Sequence, residues 1–372
     1  MKKKLAVIHY LPLEFYPPVT NLLNCISESN NVIVQVFSTK NNKGRKPYKN
    51  KSLDNIYRVA APKEKENIIL RLFKYMLFNL SVFFKLCFLR PDSILYYESY
   101  SVGPVYWYYR LFGKKTKLYI HYHEYASSKW YERGMKLVKM YHKQEQTFLY
   151  EKAESISQTN KDRIKLFLKD NPMVSKNQMI ELPNYPAKSW LQEFNDNFQE
   201  SAEVVKTVYV GSLSLKDTYI QEYCEWVEKQ KGKVTFDIYA YNLHQDTTDY
   251  LIKLNSKWIN FNEKGVEYNE MPKLLPKYNV GVILYKANTD NYKYNAPNKL
   301  FEYMACGLEV WYSDKMLGII NYNKQSSPRI LSVNFTDIKT IDLLSSNKLS
   351  IENHQHFFAE VVYMPYINTL IS

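Results

Sequence analysis

Short apolar runs alternate with helix-like segments along the chain, and this rhythm restricts the fold more than any other feature. Strands that alternate with helices predict parallel sheets covered by helices on both faces. The runs form two successive sets, and 372 residues are enough to bury two cores. We therefore expect an α/β protein with two doubly wound domains. The predicted strands are residues 4–10, 31–37, 93–97, 117–122, 155–159 and 178–182, then residues 206–210, 234–240, 258–261, 280–285 and 308–312.

Two prolines, Pro183 and Pro186, mark the expected boundary between the two sets. A polar stretch over residues 193–203 then precedes the first strand of the second set. The end of the chain predicts a helix that is interrupted near Pro365. The expected parts are an N-terminal domain over residues 1–186, a C-terminal domain over residues 187–353 and a terminal helical segment over residues 354–372.

Basic residues are concentrated in the first half of the chain. The whole sequence carries 50 Lys and Arg against 37 Asp and Glu, a formal net charge of +13. Residues 1–186 hold 31 basic and 15 acidic residues, whereas residues 187–372 hold 19 and 22. An excess of 16 positive charges in one half indicates an anionic surface or an anionic substrate as its partner.

Residues 67–90 combine aliphatic and aromatic side chains with four cations, and two interpretations stay open. Basic residues beside an apolar face are typical of a helix lying in a membrane interface. The alternative is a core helix whose charges point outward. No run is expected to be long enough to cross a bilayer, because the best candidate, residues 75–89, is short and contains Lys85.

The remaining composition argues for an intracellular protein without a bound cofactor. The apolar run after the basic N-terminus is too short for a signal peptide, so we expect a cytoplasmic protein, with peripheral contact to the inner face of the membrane as an option. The cysteines have no paired spacing and no metal-ligand spacing, so free thiols, no metal and no cofactor are expected. These cysteines are Cys25, Cys87, Cys224 and Cys306.

Residues 295–310 are the most informative segment for function. Pro297 and Gly307 predict the beginning and the end of a short helix that leads into an apolar strand. Lys299 and Glu302 are three residues apart and share a face of this helix. Free N–H groups at a helix start, together with a lysine, favour an anion such as phosphate. A carboxylate beside a phosphate is tolerated when it accepts hydrogen bonds from hydroxyls, so the segment indicates a nucleotide site. The alternative is an exposed Lys–Glu pair.

Residues 297–307 read P-N-K-L-F-E-Y-M-A-C-G, which resembles the donor-binding signature of GT-B glycosyltransferases, especially the retaining family-4 group. The resemblance implies two Rossmann-like domains that face a cleft, with the C-terminal helix packed back on the first domain. It also implies that Lys299 contacts the donor diphosphate and that Glu302 holds the ribose of the nucleotide. Asn298 and Leu300 complete the predicted donor-binding set of this helix.

Three further turns are expected at the donor. Gly211 follows a strand, and in the resembling family a glycine loop at this point binds diphosphate. Ser212 stands where the family has an arginine and Asp217 where it has a second glycine, while Lys216 matches the family lysine. Two other strand ends border the nucleobase in relatives. There Tyr241 is expected to stack on the base and the backbone of Val266 to read its edge.

In the first half, His123 and Glu124 follow the strand over residues 117–122. The carboxyl end of a parallel strand is where open α/β sheets place their sites. The resemblance places His123 near the donor sugar, and Glu124 is expected to act as a base or to stabilise developing positive charge. Two alternatives are a zinc site that includes His121, for which no third ligand is evident, and helix capping.

The loop after the first predicted strand is rich in proline and aromatic residues. The glycine-rich loop that many relatives carry at this point is absent. Phe15 and Tyr16 are therefore the predicted acceptor-binding residues.

The expected activity is transfer of a sugar from a UDP- or GDP-sugar to a hydroxyl of a glycan or lipid-linked acceptor, in surface polysaccharide synthesis. No Asp-x-Asp motif is present, so the transfer is expected to be independent of metal. Tyr294 replaces the first acid of the family's E-x7-E pair and Glu309 replaces a proline, so retention of configuration is only what the resemblance implies. The alternatives are a nucleotide-sugar 2-epimerase of the same architecture and a nucleic-acid-binding protein, for which no recognition module is evident.

Overall fold

The computed structural model describes residues 2–29, 31–40, 44–53, 56–63, 65–191, 204–241, 243–323, 328–338 and 357–372, with only the backbone of Lys114. They form two compact units, Met1–Pro183 with Ala359–Ser372, and Asn184–Phe358. The predicted polar stretch over residues 193–203 and the predicted boundary between residues 353 and 354 lie outside the described residues.

The first unit is built on a parallel sheet with the strand order β3-β2-β1-β4-β5-β6-β7. Its strands are β1 Lys3–His9, β2 Val32–Thr39, β3 Ile56–Val59, β4 Ser93–Tyr97, β5 Lys117–Tyr122, β6 Ala153–Gln158 and β7 Met179–Glu181. Its helices are α1 Pro17–Ser27, α2 Ile68–Leu89, α3 Val102–Phe112, α4 Ser128–Arg133, α5 Lys136–Gln144, α6 Tyr150–Lys152 and α7 Lys161–Asp170, with a π-helical turn at Glu145–Leu149.

The second unit repeats this plan with the strand order β10-β9-β8-β11-β12-β13, again parallel. Its strands are β8 Val205–Val210, β9 Val234–Tyr239, β10 Ile259–Asn262, β11 Val280–Ile283, β12 Glu309–Ser313 and β13 Ile330–Val333. Its helices are α8 Ile220–Lys229, α9 Gln245–Lys253, α10 Met271–Leu274, α11 Asp290–Lys293 and α12 Asn298–Ala305.

The predicted fold class is confirmed, since both sheets are parallel and both are doubly wound. In each sheet the strand order reverses beside the first strand of the unit, between β1 and β4 and between β8 and β11. Such a switch point opens a crevice at the carboxyl ends of the strands, where α/β proteins bind ligands. The strands β3 and β13 were not predicted.

The first unit includes the final helix, α13 Ala359–Ile371. Tyr363, Ile367 and Leu370 are buried in the same apolar cluster as residues of α1 and β1. Pro365 lies inside the helix, so the predicted interruption at this proline was wrong.

Helix α2 corrects a second expectation, because it spans 22 residues. By length and composition it could cross a membrane, although the sequence had been expected to contain no run of that length. Its inner face, with Phe78, Val82 and Leu86, is fully buried in the core of the first unit.

Candidate functional site

Helix α12 is fixed on the sheet of the second unit through Tyr303. A Cβ atom on Gly281 of β11 would lie 2.2 Å from Tyr303 Cδ2, so only a glycine leaves room for the ring. At the end of β8 the N–H of Val210 donates to the Tyr303 hydroxyl at 3.1 Å. These two contacts place the start of α12 at the carboxyl edge of the sheet.

Lys299 and Gly211 are brought together at this edge. A Cβ atom on Gly211 would lie 3.0 Å from Lys299 Nζ, and Gly211 has a φ of +116°, which favours glycine. The ammonium donates to the Tyr285 hydroxyl at 3.0 Å and lies 5.1 Å from the ring centroid of Tyr209. The Lys299 side chain is thus held in place by Tyr285 and Tyr209 and by the backbone at Gly211, which has no side chain.

Glu302 lies one turn further along α12, and its side chain is 5% exposed. Burial raises its pKa from 4.5 to about 7, and the Lys299 ammonium opposes part of the rise. No described residue hydrogen-bonds the carboxylate. A buried carboxylate without protein donors is costly, so this position suits hydroxyl groups of a ligand.

The two residues that flank Lys299 differ in their surroundings. Asn298 is the first residue of α12 and is half-buried. Leu300 is fully buried, and its N–H donates to the Pro297 carbonyl at 3.0 Å. Pro297 gives the helix start no side-chain cap. The uncapped start is an electropositive end, as phosphate binding requires.

The loop after Gly211 is shaped by its own polar residues. Ser212 is exposed, and its carbonyl accepts from the Tyr209 hydroxyl at 2.5 Å. Asp217 accepts from the Ser214 hydroxyl at 3.0 Å, which gives it a turn-forming role in place of the family glycine. Lys216 is exposed and has no hydrogen bond or ion pair among the described residues.

Tyr241 and the turn that carries Val266 also lie together. A Cβ atom on Gly265 would lie 2.8 Å from Tyr241 Cδ1, and Gly265 has a φ of +62°. The ring therefore rests against the glycine backbone, and both Tyr241 and Val266 are half-buried. This packing holds the ring in one orientation.

In the first unit, the ends of β5 and β6 form a chain of histidine hydrogen bonds. Burial lowers the pKa of His121 to about 3, so its ring is neutral. The Ser157 hydroxyl donates to the Ile120 carbonyl at 3.0 Å, so it must accept from His121 Nδ1 at 2.8 Å. His121 Nε2 then accepts from His123 Nδ1 at 3.2 Å, which leaves the lone pair of a neutral His123 on Nε2.

The structure bears on the two alternatives for His123 and Glu124: the next helix is capped by another residue, and the zinc alternative finds no third ligand among the described residues. The rings of His121 and His123 hydrogen-bond each other, and among the described residues no group of three or more His, Cys, Asp or Glu could hold a metal ion. Helix α4 is capped by Ser127, whose side chain accepts from the Trp130 N–H. Glu124 is exposed, whereas His123 is 6% exposed.

Glu98, which sequence reasoning missed, lies at the end of β4 beside these residues. Its Oε1 accepts from the His123 N–H at 2.6 Å and from the Glu124 N–H at 3.4 Å. Burial, and then the nearby Glu124, raise its pKa to about 8, so it is protonated at neutral pH. Its φ of +59° is a strained backbone conformation of the kind found at functional sites. An acid after a predicted parallel strand was the signal that could have found it.

Tyr16 covers the histidines from the loop after β1. Its ring stacks on His123 at 5.7 Å between centroids and contacts His9, the last residue of β1, at 4.5 Å. Burial lowers the pKa of His9 to about 4. Phe15 ends the short 3-10 turn before Tyr16 and is half-buried. The structure thus brings Tyr16 into contact with both His123 and His9.

Two buried residues, Arg163 and Glu145, hydrogen-bond to residues at the ends of β4 and β5. Arg163 Nη1 donates to the His123 carbonyl at 2.6 Å. The Glu145 carboxylate accepts from the hydroxyls of Tyr122 at 2.7 Å and Ser99 at 2.6 Å. Because Ser99 follows Glu98 directly, this network fixes the strained turn.

No family model and no curated protein sequence matches the chain. Solved structures resemble it over its whole length at low identity. The first is sucrose-phosphate synthase from Thermosynechococcus elongatus, with 14% identity, a TM-score of 0.63 and coverage of 100% of this chain and 95% of that one. The apo form of the lipopolysaccharide outer core galactosyltransferase WaaB has 13% sequence identity, a TM-score of 0.59 and coverage of 98% of both chains. UDP-GlcNAc 2-epimerase from Methanocaldococcus jannaschii has 10% sequence identity, a TM-score of 0.60 and coverage of 99% of both chains.

The chain has the GT-B fold. Both glycosyltransferases and epimerases are among the structures that share it. At these identities the likeness establishes the fold, and the choice of reaction depends on the residues of the two sites.

Proposed function

We propose that the protein is a nucleotide-sugar-dependent glycosyltransferase that moves a sugar from a UDP- or GDP-sugar to a hydroxyl of a glycan or lipid-linked acceptor. The observation that carries the proposal is the arrangement on helix α12. Lys299 Nζ lies against the Gly211 loop at the helix start, and the buried Glu302 lies one turn further in.

Each donor group has a partner in this arrangement. The diphosphate lies at the uncapped start of α12, where the N–H groups and the Lys299 ammonium offset its charge without a metal. The ribose hydroxyls donate to Glu302, and Tyr241 stacks on the base beside Val266. Ser212 and Lys216 are the exposed residues of the Gly211 loop and contact the outer side of the diphosphate.

The acceptor is assigned to the first unit, where acids and aromatic residues lie at the ends of the strands. Protonated Glu98 can donate a hydrogen bond, and exposed Glu124 can accept one from a sugar hydroxyl. His123 is covered by Tyr16, so it acts on a substrate only if that ring moves aside.

Calorimetric titration of UDP and GDP tests donor binding directly. Hydrogen bonds to a charged group contribute about 1.5–3 kcal/mol, so Glu302→Ala should weaken binding roughly 10- to 100-fold. Lys299→Met should weaken it to a similar degree. The exposed Glu228 and Lys229 provide the matched controls Glu228→Gln and Lys229→Met, which should change nothing. Unchanged affinity in both site variants would refute the proposed donor site.

The epimerase alternative is tested by its products. Because epimerases of this fold exist, each nucleotide sugar that binds should be incubated with the protein and no acceptor. Under the proposal the sugar keeps its configuration until an acceptor hydroxyl is added. Conversion to the 2-epimer by the protein alone would replace the transferase proposal.

A further inference from the structure

Helix α2 presents an apolar face along most of its length that no other described part of the chain covers. Phe73, Leu77, Leu80, Phe84 and Phe88 recur every three or four residues and therefore lie on one side of the helix, hereafter the α2 stripe. Their exposed fractions range from 44% for Leu80 to 88% for Phe88. A contiguous exposed apolar surface of this kind marks an interaction site.

The opposite face of α2 is part of the core. Tyr75, Phe78, Val82 and Leu86 are at most 1% exposed and pack in the main apolar cluster of the first unit. A helix that crossed a bilayer would have to withdraw these four side chains from the core. The helix therefore stays on the protein surface, and its partner covers the α2 stripe from outside.

Helix α3 extends the exposed surface at one end. The rings of Phe83 on α2 and Trp107 on α3 contact edge to face, with 6.0 Å between their centroids. Gly103 on α3 lies close to Asn79 on α2, because a Cβ atom on this glycine would lie 2.6 Å from Asn79 Oδ1. The two contacts are four residues apart on both helices, so α2 and α3 run side by side in the same direction. One turn further on, Leu111, which is 66% exposed, comes level with the end of α2.

The charged side chains on helices α2 and α3 are all positive. Helix α2 has 22 residues, α3 has 11, and neither contains Asp or Glu. Lys85 is exposed beside the stripe, where its ammonium lies 4.2 Å from the ring centroid of Tyr57, and Arg110 is exposed on α3. Lys74 is paired with Glu66 and is therefore not counted. An apolar strip flanked by cations complements an anionic lipid surface.

We propose that the α2 stripe and the end of α3 dock on the surface of an anionic lipid bilayer. The stripe spans about 22 Å at 1.5 Å per residue, and it contains no polar side chain that could fix the position of a protein partner. Its rings enter the boundary between headgroups and acyl chains, while Lys85 and Arg110 reach the lipid phosphates. The proposal does not depend on the proposed function.

Vesicle flotation of the full chain tests the surface. Wild type should float with vesicles of phosphatidylcholine and phosphatidylglycerol, and much less with phosphatidylcholine alone. The double variant Phe84→Ser/Phe88→Ser should lower the partition coefficient at least tenfold on the mixed vesicles. Lys85→Gln/Arg110→Gln should lower it about fivefold per charge. The matched control is Ile252→Ser, which changes a 62% exposed residue of α9.

Melting curves and nucleotide titrations separate a lost surface from a lost fold. Because Phe84 and Phe88 are solvent-exposed, the double variant should have the melting temperature and the nucleotide affinity of wild type. If its melting temperature is lower, the flotation experiment is repeated with the single variant Phe88→Ser. Equal flotation of wild type and the serine variant would overturn the proposal. So would a wild type that ignores vesicles but forms dimers that the serine variant abolishes, because the partner would then be a second copy of the chain.

Discussion

Replacing Glu302 by glutamine should stabilise the ligand-free protein at alkaline pH while it weakens nucleotide binding. The carboxylate is 5% exposed, and burial raises its pKa from 4.5 to about 7. Above pH 7 the native protein holds a buried charge that the unfolded chain can hydrate, and this costs stability. Below pH 4.5 the group is protonated in both states and the cost vanishes. Glutamine has no charge at any pH.

The size of the effect follows from the two pKa values. At 1.36 kcal/mol per pKa unit, the rise from 4.5 to about 7 corresponds to about 3 kcal/mol at pH 8. This is an upper limit, because the buried amide also needs hydrogen bonds. For a unit of this size, 1 kcal/mol shifts the melting temperature by about 2–4 °C, so the gain at pH 8 is at most about 6–12 °C.

Urea titrations at pH 5 and pH 8 measure this gain. The ring centroids of Trp226 and Trp311 lie 5.9 Å apart in the second unit. Tryptophan fluorescence therefore changes when the second unit unfolds. The wild-type free energy of unfolding should fall between these pH values by more than that of Glu302→Gln. Groups such as Glu98 titrate in both proteins and cancel in the comparison, and Glu228→Gln should behave like wild type.

The reasoning fails if wild type and Glu302→Gln show the same pH dependence of unfolding. It also fails if wild type loses less stability between pH 5 and pH 8 than Glu302→Gln does, because the buried charge would then have a protein partner. Stabilisation without loss of nucleotide affinity would keep the electrostatic argument and refute the ribose role.

Two further substitutions probe the glycine loop and the acid of the first unit. Gly211→Ala should destabilise the second unit by about 1–3 kcal/mol in urea titrations, because it adds strain at φ +116° and a methyl group 3.0 Å from Lys299 Nζ. The control Gly44→Ala carries similar strain at φ +78° with nothing within 4 Å, so an equal loss in both variants would rule out the lysine contact. Glu98→Gln should flatten the alkaline limb of the kcat/KM profile, since the wild-type carboxyl loses its proton near pH 8. An unchanged alkaline limb would show that this proton is not used.

The sequence pattern predicts the interior of both sheets better than their edges. The strands at residues 93–97 and 117–122 have the predicted bounds, because buried parallel strands are continuous apolar runs. The two missed strands, Ile56–Val59 and Ile330–Val333, lie at sheet edges and have only four residues each. An edge strand is stabilised by one neighbour, so little in its own sequence identifies it.

The candidate sites were predictable only where one segment carries the signal. Lys299 and Glu302 share one short helix, so their spacing is visible in the sequence. The contact between Lys299 and Gly211 joins residues 88 positions apart and depends on the order of the strands. The pKa of Glu98 likewise depends on Glu124, which follows a different strand.

The position of α13 has a consequence for how the protein is made. Its buried Ile367 and Leu370 complete the first unit, and the Tyr119 hydroxyl of β5 donates to the Thr369 carbonyl at 2.6 Å. On the ribosome, the 175 residues of Asn184–Phe358 are synthesised between Pro183 and this helix. At a synthesis rate of about 5–20 residues per second, the first unit lacks helix α13 for about 10–35 s. During that interval the apolar side chains of α1 that α13 later covers remain open to chaperones and to neighbouring nascent chains.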